Sequence, residues 1–289
     1  MGNVDDGGNR LHPMLFQPEA HEAPTEKPWS AEKVRTAIAA IAADAENAFD
    51  DGWPTHPNDA DTDADATTRF RSVYLGGAGV VDALQRLARR GFVELRRSYV
   101  PYLEHSLEAA PDFPGEKSEA SLWMGETGIR LVLQRLAPSR ANLERLSELI
   151  AANGRDERCE LMWGSPGTIL AGRELGLDVT DSIEWLNGRR DPDGLWTQQL
   201  YGQTTRYLGP AHGFAGCVLA LGDVSAVSET LRRFAVERMG WSTSRAWQGR
   251  GSARAATARS VRSGATALQG SLRRSPTFST TSLHVGAGN

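Results

Sequence analysis

Between Ser30 and Phe49 the apolar positions Val34, Ile38, Ile41 and Ala45 return at helical intervals behind a serine suited to cap a first turn. The pattern predicts an amphipathic helix with those four side chains turned inward. The stretch DDGWPTHPNDADTDADA, 50–66, then breaks the period with prolines and a run of acids. It lacks the acid-and-glycine spacing of an EF-hand, so it reads as a solvated loop. From residue 70 helical patterns succeed one another over 72–90, 92–109, 118–136, 139–152, 165–176, 180–188, 210–222 and 223–238. Val, Ile, Tyr and Phe never alternate with polar residues long enough to suggest a sheet, and the fold class expected is all-α.

Four of these segments share one design: YLGGAGVVDALQRL from Tyr74, WMGETGIRLVLQRL from Trp123, MWGSPGTILAGREL from Met162 and PAHGFAGCVLALG from Pro210. Each has an apolar or aromatic lead-in, a Gly-x-x-Gly and an apolar helix. The glycine pairs are Gly76 and Gly79, Gly125 and Gly128, Gly164 and Gly167, and Gly213 and Gly216, with the first members 49, 39 and 49 residues apart. That is about one helical hairpin per repeat. A glycine pair lets the chain turn into a helix and pack closely on a neighbour. Helices apolar over most of their circumference belong inside, and the more charged segments 92–109, 139–152 and 180–188 belong outside. An inner and an outer ring of helices is an α/α toroid, here about four hairpins of one.

Composition sets the outer limits. Of 289 residues 40% are hydrophobic, enough for a core, and the net charge of -4 offers no phosphate-binding surface, so nucleic acid is not an expected partner. No apolar run reaches the roughly 20 residues that span a bilayer, and the N-terminal residues lack a secretory pattern. With two cysteines only, Cys159 and Cys217, the expected location is cytoplasmic. The chain divides into a flexible leader, 1–28, a helical domain, 29–240, and an Arg/Ser/Ala-rich low-complexity tail, 241–289, expected to be disordered. From Ser242 onward there is no Asp, Glu or Lys. A shift so abrupt reads as a truncated or frameshifted repeat array.

The segments ELMWGSPGTILA and LGPAHGFAG closely resemble the repeats of the lanthionine synthetase C-like (lanthionine cyclase) family, and GLWTQQLYGQTTRYLG, 194–209, looks like the stretch leading into its His-Gly repeat. The likeness covers about residues 70–237. It implies a seven-hairpin α/α toroid that adds a thiol to dehydrated Ser or Thr in a peptide, with zinc lowering the thiol pKa and an acid protonating the enolate. Peptide and thiol are therefore the implied substrates. His212 matches the family's acid/base histidine, and Glu160 resembles an acidic position able to orient it. The family's zinc-ligating Trp-Cys-x-Gly and Cys-His-Gly repeats do not occur in this sequence. No metal ligand is assigned, the chain is expected to hold no cofactor, and an inactive cyclase is the expectation.

Trp163, Trp196 and Tyr207 are candidates to line a peptide pocket, although aromatics leading into packed helices also serve as core, as does Tyr201 on this reading. Four hairpins of a toroid leave apolar edges open to association. Two other readings stand beside the first. One is a non-catalytic helical scaffold that binds a peptide or protein. The other is an α/α-toroid glycosidase, which would need paired carboxylates such as Glu126 and Glu160.

Overall fold

The computed structural model describes residues 28–55, 67–113, 119–222, 225–238 and 241–244. Helix α1 (Ala31–Asn47) starts where the pattern placed it, with the Ser30 hydroxyl accepting the Lys33 N–H at 3.3 Å. Ala42 and Glu46 are its buried positions, and Val34, Ile38 and Ala45 are half-buried. Ile41, expected inward, is 69% exposed. The apolar stripe runs through positions 34, 38, 42 and 45, and position 41 lies beside it on the rim of an open groove. The Glu46 carboxylate accepts the Arg96 N–H at 2.9 Å and the Tyr99 hydroxyl at 3.3 Å, which tethers the connection 92–99 to α1.

The repeats form α2 (Gly77–Arg89), α4 (Glu126–Leu136), α6 (Ser165–Leu175) and α8 (Phe214–Leu221). Between them lie α3 (Val100–Glu108), α5 (Arg140–Asn153), α7 (Thr180–Gly188) and, after α8, α9 (Ser225–Phe234). Three of the repeat helices begin later than the periodicity predicts, because the residues ahead of each first glycine form a compact turn. Gly76, Gly125, Gly164 and Gly213 are the N-caps, all in extended backbone.

The fold is helix-rich, with α2 touching α4, α4 touching α6 and α6 touching α8. Helices α3 and α5 flank α4, and α5 also packs on α6 beside α7. Sequence explains the layering: α4 and α6 are apolar or small around most of their surface and bury six and seven residues, whereas α7 buries two. One core cluster lies between α4 and α8 around Ile169, Leu186 and Phe214, and a second lies under α1 to α4 around Val81, Leu103 and Val132.

Strands appear where none was expected. β1 (Gln198–Leu200) and β2 (Gln203–Thr205) pair antiparallel through a two-residue turn, Tyr201-Gly202. The helix expected over 223–238 ends at Phe234, and β3 (Ala235–Arg238) pairs with β4 (Trp241–Ser244). The first residues assigned to the tail are therefore in a paired strand. The leader up to residue 27, most of the acidic stretch (56–66) and residues 245–289 lie outside the described residues. Among the described residues no helix is long and apolar enough to cross a membrane.

Candidate functional site

The four glycine-pair turns share a common architecture. A methyl group on the second glycine, at 79, 128, 167 or 216, would collide with the carbonyl oxygen six residues earlier, on Val73, Leu122, Leu161 or Pro210 respectively. From the second turn onward that methyl would also meet the preceding turn. It would lie 2.6 Å from Val73 Cγ2 at Gly128, 3.2 Å from Leu122 Cβ at Gly167 and 3.1 Å from Leu161 Cβ at Gly216. The second glycine is thus the point where one repeat seats on the next. Backbone bonds repeat as well: the first helical N–H reaches back seven residues in Gly77 to Phe70 (2.9 Å), Glu126 to Glu119 (2.6 Å) and Phe214 to Tyr207 (3.0 Å).

Residue type departs from this plan at two positions. Four residues before the first glycine stand Ser72, Ser121, Glu160 and Gly209; immediately before it stand Leu75, Met124, Trp163 and His212. Ser72 and Ser121 are buried, and their hydroxyls accept the N–H of Leu75 at 3.4 Å and of Met124 at 3.2 Å. Glu160, at 0% exposure, does this work three times over. Its carboxylate accepts the N–H of Met162 at 3.0 Å, Trp163 at 2.5 Å and Gly164 at 3.1 Å. A buried carboxylate needs such compensation.

The same carboxylate also faces His212, with Oε2 2.8 Å from Nδ1. The Leu161 N–H donates to the Ala211 carbonyl at 2.9 Å, clipping the third turn to the fourth and bringing the two side chains together. With Glu160 accepting, His212 carries its proton on Nδ1 and presents the Nε2 lone pair. The imidazole side chain is 36% exposed, so a ligand has access to it. Both catalytic candidates named from sequence therefore meet.

Around them the residues ahead of the glycines gather in one cluster: Met124, Met162 and Trp163, with Leu75, Trp123 and Ala211 against them and Leu200 and Phe113 beside them. Trp163 and Tyr207 belong to this wall, and the Tyr207 ring lies 6.4 Å from the His212 ring. Trp196 does not. It is 1% exposed, its Nε1–H donates to the Leu186 carbonyl at 2.8 Å, and it packs in the core, so it lines no site. Tyr201 reverses the other way: read as core, it is 72% exposed, edge-on to His212 at 6.2 Å, and its hydroxyl accepts the Trp163 Nε1–H at 3.3 Å. Its backbone is left-handed, φ 53°, at the tip of the β1–β2 hairpin. The signal was present in Tyr-Gly between two short runs, the spacing of a two-residue hairpin turn.

The zinc that the resemblance implies can be tested against the donors. Among the described residues no three His, Cys, Asp or Glu side chains gather to hold a metal. Burial pushes the Cys159 thiol up to about 11. Burial also drives Cys217 well above the ordinary thiol range, with Cys159 and Glu160 beside it adding to the shift. The Cys217 Sγ–H donates to the Cys159 carbonyl at 3.0 Å. Both cysteines are fully buried, and the Cys217 sulfur is committed to the Cys159 carbonyl. The described donor set does not fit a zinc site.

Glu126, the second carboxylate a glycosidase would want, is occupied elsewhere. Burial pulls its carboxyl upward, but hydrogen bonds from Arg145 and Arg130 outweigh that and hold it below the usual carboxylate range. A general acid needs the opposite shift. In comparison with known proteins, no family model and no curated protein matches this chain.

Proposed function

We propose that the chain is a lanthionine synthetase C-like protein, its four helical hairpins an arc of an α/α toroid, that holds a dehydrated peptide at the aromatic wall and exchanges a proton with it at His212 Nε2. The observation that carries this reading is the contact between Glu160 and His212. It places a carboxylate and an imidazole at the two repeat positions where the other turns use a small or apolar residue. Glu160 orients the ring and compensates an imidazolium; His212 supplies the acid that the enolate of a thiol addition requires. In that addition the sulfur bonds to the β-carbon, the π pair moves to the enolate, and His212, which takes a proton from solvent onto Nε2 while Glu160 keeps the one on Nδ1, delivers it to the α-carbon. The described residues supply this acid–base half and not the activation of the thiol.

The test separates the two halves. A dehydroalanine peptide is offered together with an external thiol already ionised at the assay pH, in the presence of a chelator, and thioether formation is followed by mass spectrometry. The expected result is acceleration over buffer that falls to background in His212→Asn and drops in Glu160→Gln. Equal rates for the wild type and His212→Asn overturn the reading. Saturable peptide binding without acceleration favours the non-catalytic scaffold instead, and tight stoichiometric zinc in the purified protein overturns the assignment of no metal.

A further inference from the structure

The seating of each repeat on its predecessor leaves two unmatched ends, and they complement each other. On α4 the stripe that follows the glycine pair, Ile129 and Val132, is 7% and 2% exposed, in one core cluster with residues of the preceding helices α2 and α3. On α2 the equivalent residues Val80 and Ala83 are half-buried and exposed. The three atoms nearest to a methyl on Gly79 all belong to the backbone of its own lead-in residue Val73, where Gly128 has the Val73 side chain of the turn before it. This face borders an open groove of about 370 Å³ lined by Gly76, Gly79, Val80 and Leu87 of the repeat and by Ile41 of α1. Ile41 and Tyr74, 69% and 59% exposed, stand at its edge. Exposed large apolar side chains gathered at one groove mark an interaction surface.

The other end offers what the groove lacks. The residues that fill the glycine seats are Val73, Leu122 and Leu161, and the fourth turn has Pro210 at that position. Pro210 is exposed, and no further Gly-x-x-Gly follows it in the sequence. Beside it on α8, Ala215 is half-exposed, whereas the corresponding Thr127 of α4 and Pro166 of α6 are buried. Among the described residues, one face is thus a repeat with no other repeat seated in its glycine groove, and the other a repeat whose turn is seated on none.

We infer that the chain associates head to tail with a second copy of itself, the Pro210 turn and α8 of one molecule seating in the Gly79 groove of the next as one repeat seats on another. The contact is heterologous, so it propagates into a ring or an open chain. It follows from the repeat geometry and does not depend on any activity at His212.

Sedimentation velocity of the full chain over a wide range of concentration tests it, using Ile41→Asp to spoil the groove and Pro210→Arg to spoil the turn. Both positions are exposed, and circular dichroism checks that each variant folds. The wild type is expected to grow from one copy to two or more with concentration, and each variant alone to stay at one. An equimolar mixture should regain a species of two copies and stop there, since one intact groove and one intact turn remain. A wild type that stays at one copy throughout, as it would if another segment of the chain filled the groove, overturns the inference. So does a variant that associates like the wild type, or a mixture that does not recover.

Discussion

The first two turns and the last two are built on one backbone plan and filled differently. In the first pair a buried serine accepts a single N–H and an apolar residue, Leu75 or Met124, precedes the glycine. In the last pair a buried glutamate accepts three N–H bonds and still reaches a histidine. The serine turns show that one weak side-chain acceptor suffices for the N–H groups just ahead of the glycine, with the Asp112 carboxylate accepting the Arg71 and Ser72 N–H in the first of them. The glutamate's extra cost, a charge brought out of water, is therefore not demanded by the turn, and its return is the oriented imidazole. The contrast separates residues that make the repeat from residues that use it.

The largest effect on that comparison comes from breaking the plan itself. Gly128→Ala should lower stability by about 3 kcal/mol or more, because the new methyl meets both the Leu122 carbonyl and the Val73 side chain in a packed interior. Gly188→Ala, with open space at the methyl position, should cost nothing and serves as the control. Thermal unfolding followed by circular dichroism reads both.

Next is the difference between the two kinds of turn. Glu160→Ala strips the acceptor from three N–H groups and from His212, and should cost about 3 kcal/mol. Glu160→Ser rebuilds the plan of the first two turns and should cost about half as much, since one N–H regains a partner. If the two variants unfold at the same urea midpoint, the equivalence drawn between Ser72, Ser121 and Glu160 fails.

A pH dependence sharpens the contrast at the core behind the site. Burial holds the Cys159 thiol up to about 11, while an unfolded thiol ionises near about 8.5. Above that lower value the unfolded chain has released a proton that the folded chain still binds, so stability is full below it and is lost as pH rises towards 11. Tyr99 adds in the same direction, its hydroxyl raised to about 12 by burial and by Glu46 beside it. Urea midpoints between about pH 8 and pH 10 should record a loss on the order of 1–2 kcal/mol. A midpoint unchanged over that range would show that these groups are not shielded as described.

The smallest effect has the opposite sign. Tyr201 keeps a left-handed backbone at φ 53°, where asparagine is easier. Tyr201→Asn should raise stability by about 0.5–1 kcal/mol and, on the function proposed above, weaken peptide binding at His212, since the aromatic edge beside the imidazole is gone. A purely structural tyrosine would not show gain and loss together.

Much of this was legible along the chain. The glycine spacing located all four repeat helices, and the family resemblance, not the repeat pattern, singled out His212 and Glu160. Helix starts were misplaced because the lead-in turn has the same apolar composition as the first helical turn; only its hydrogen bonds tell them apart. Ile41, Trp196 and Tyr201 were misassigned for a related reason. Apolar character says that a side chain gains by burial, not which neighbour arrives to bury it.

Periodicity and residue type, both local properties, were enough for the helix-rich class, the four repeats and the chemistry available at positions 160 and 212. That these two side chains, 52 residues apart, stand 2.8 Å from each other came from the packing of the folded chain. It decided too that Tyr201 faces them and that the groove at Gly79 is open. Those outcomes depend on how one turn seats on the next, a close packing of backbone against glycine that no single stretch of sequence contains.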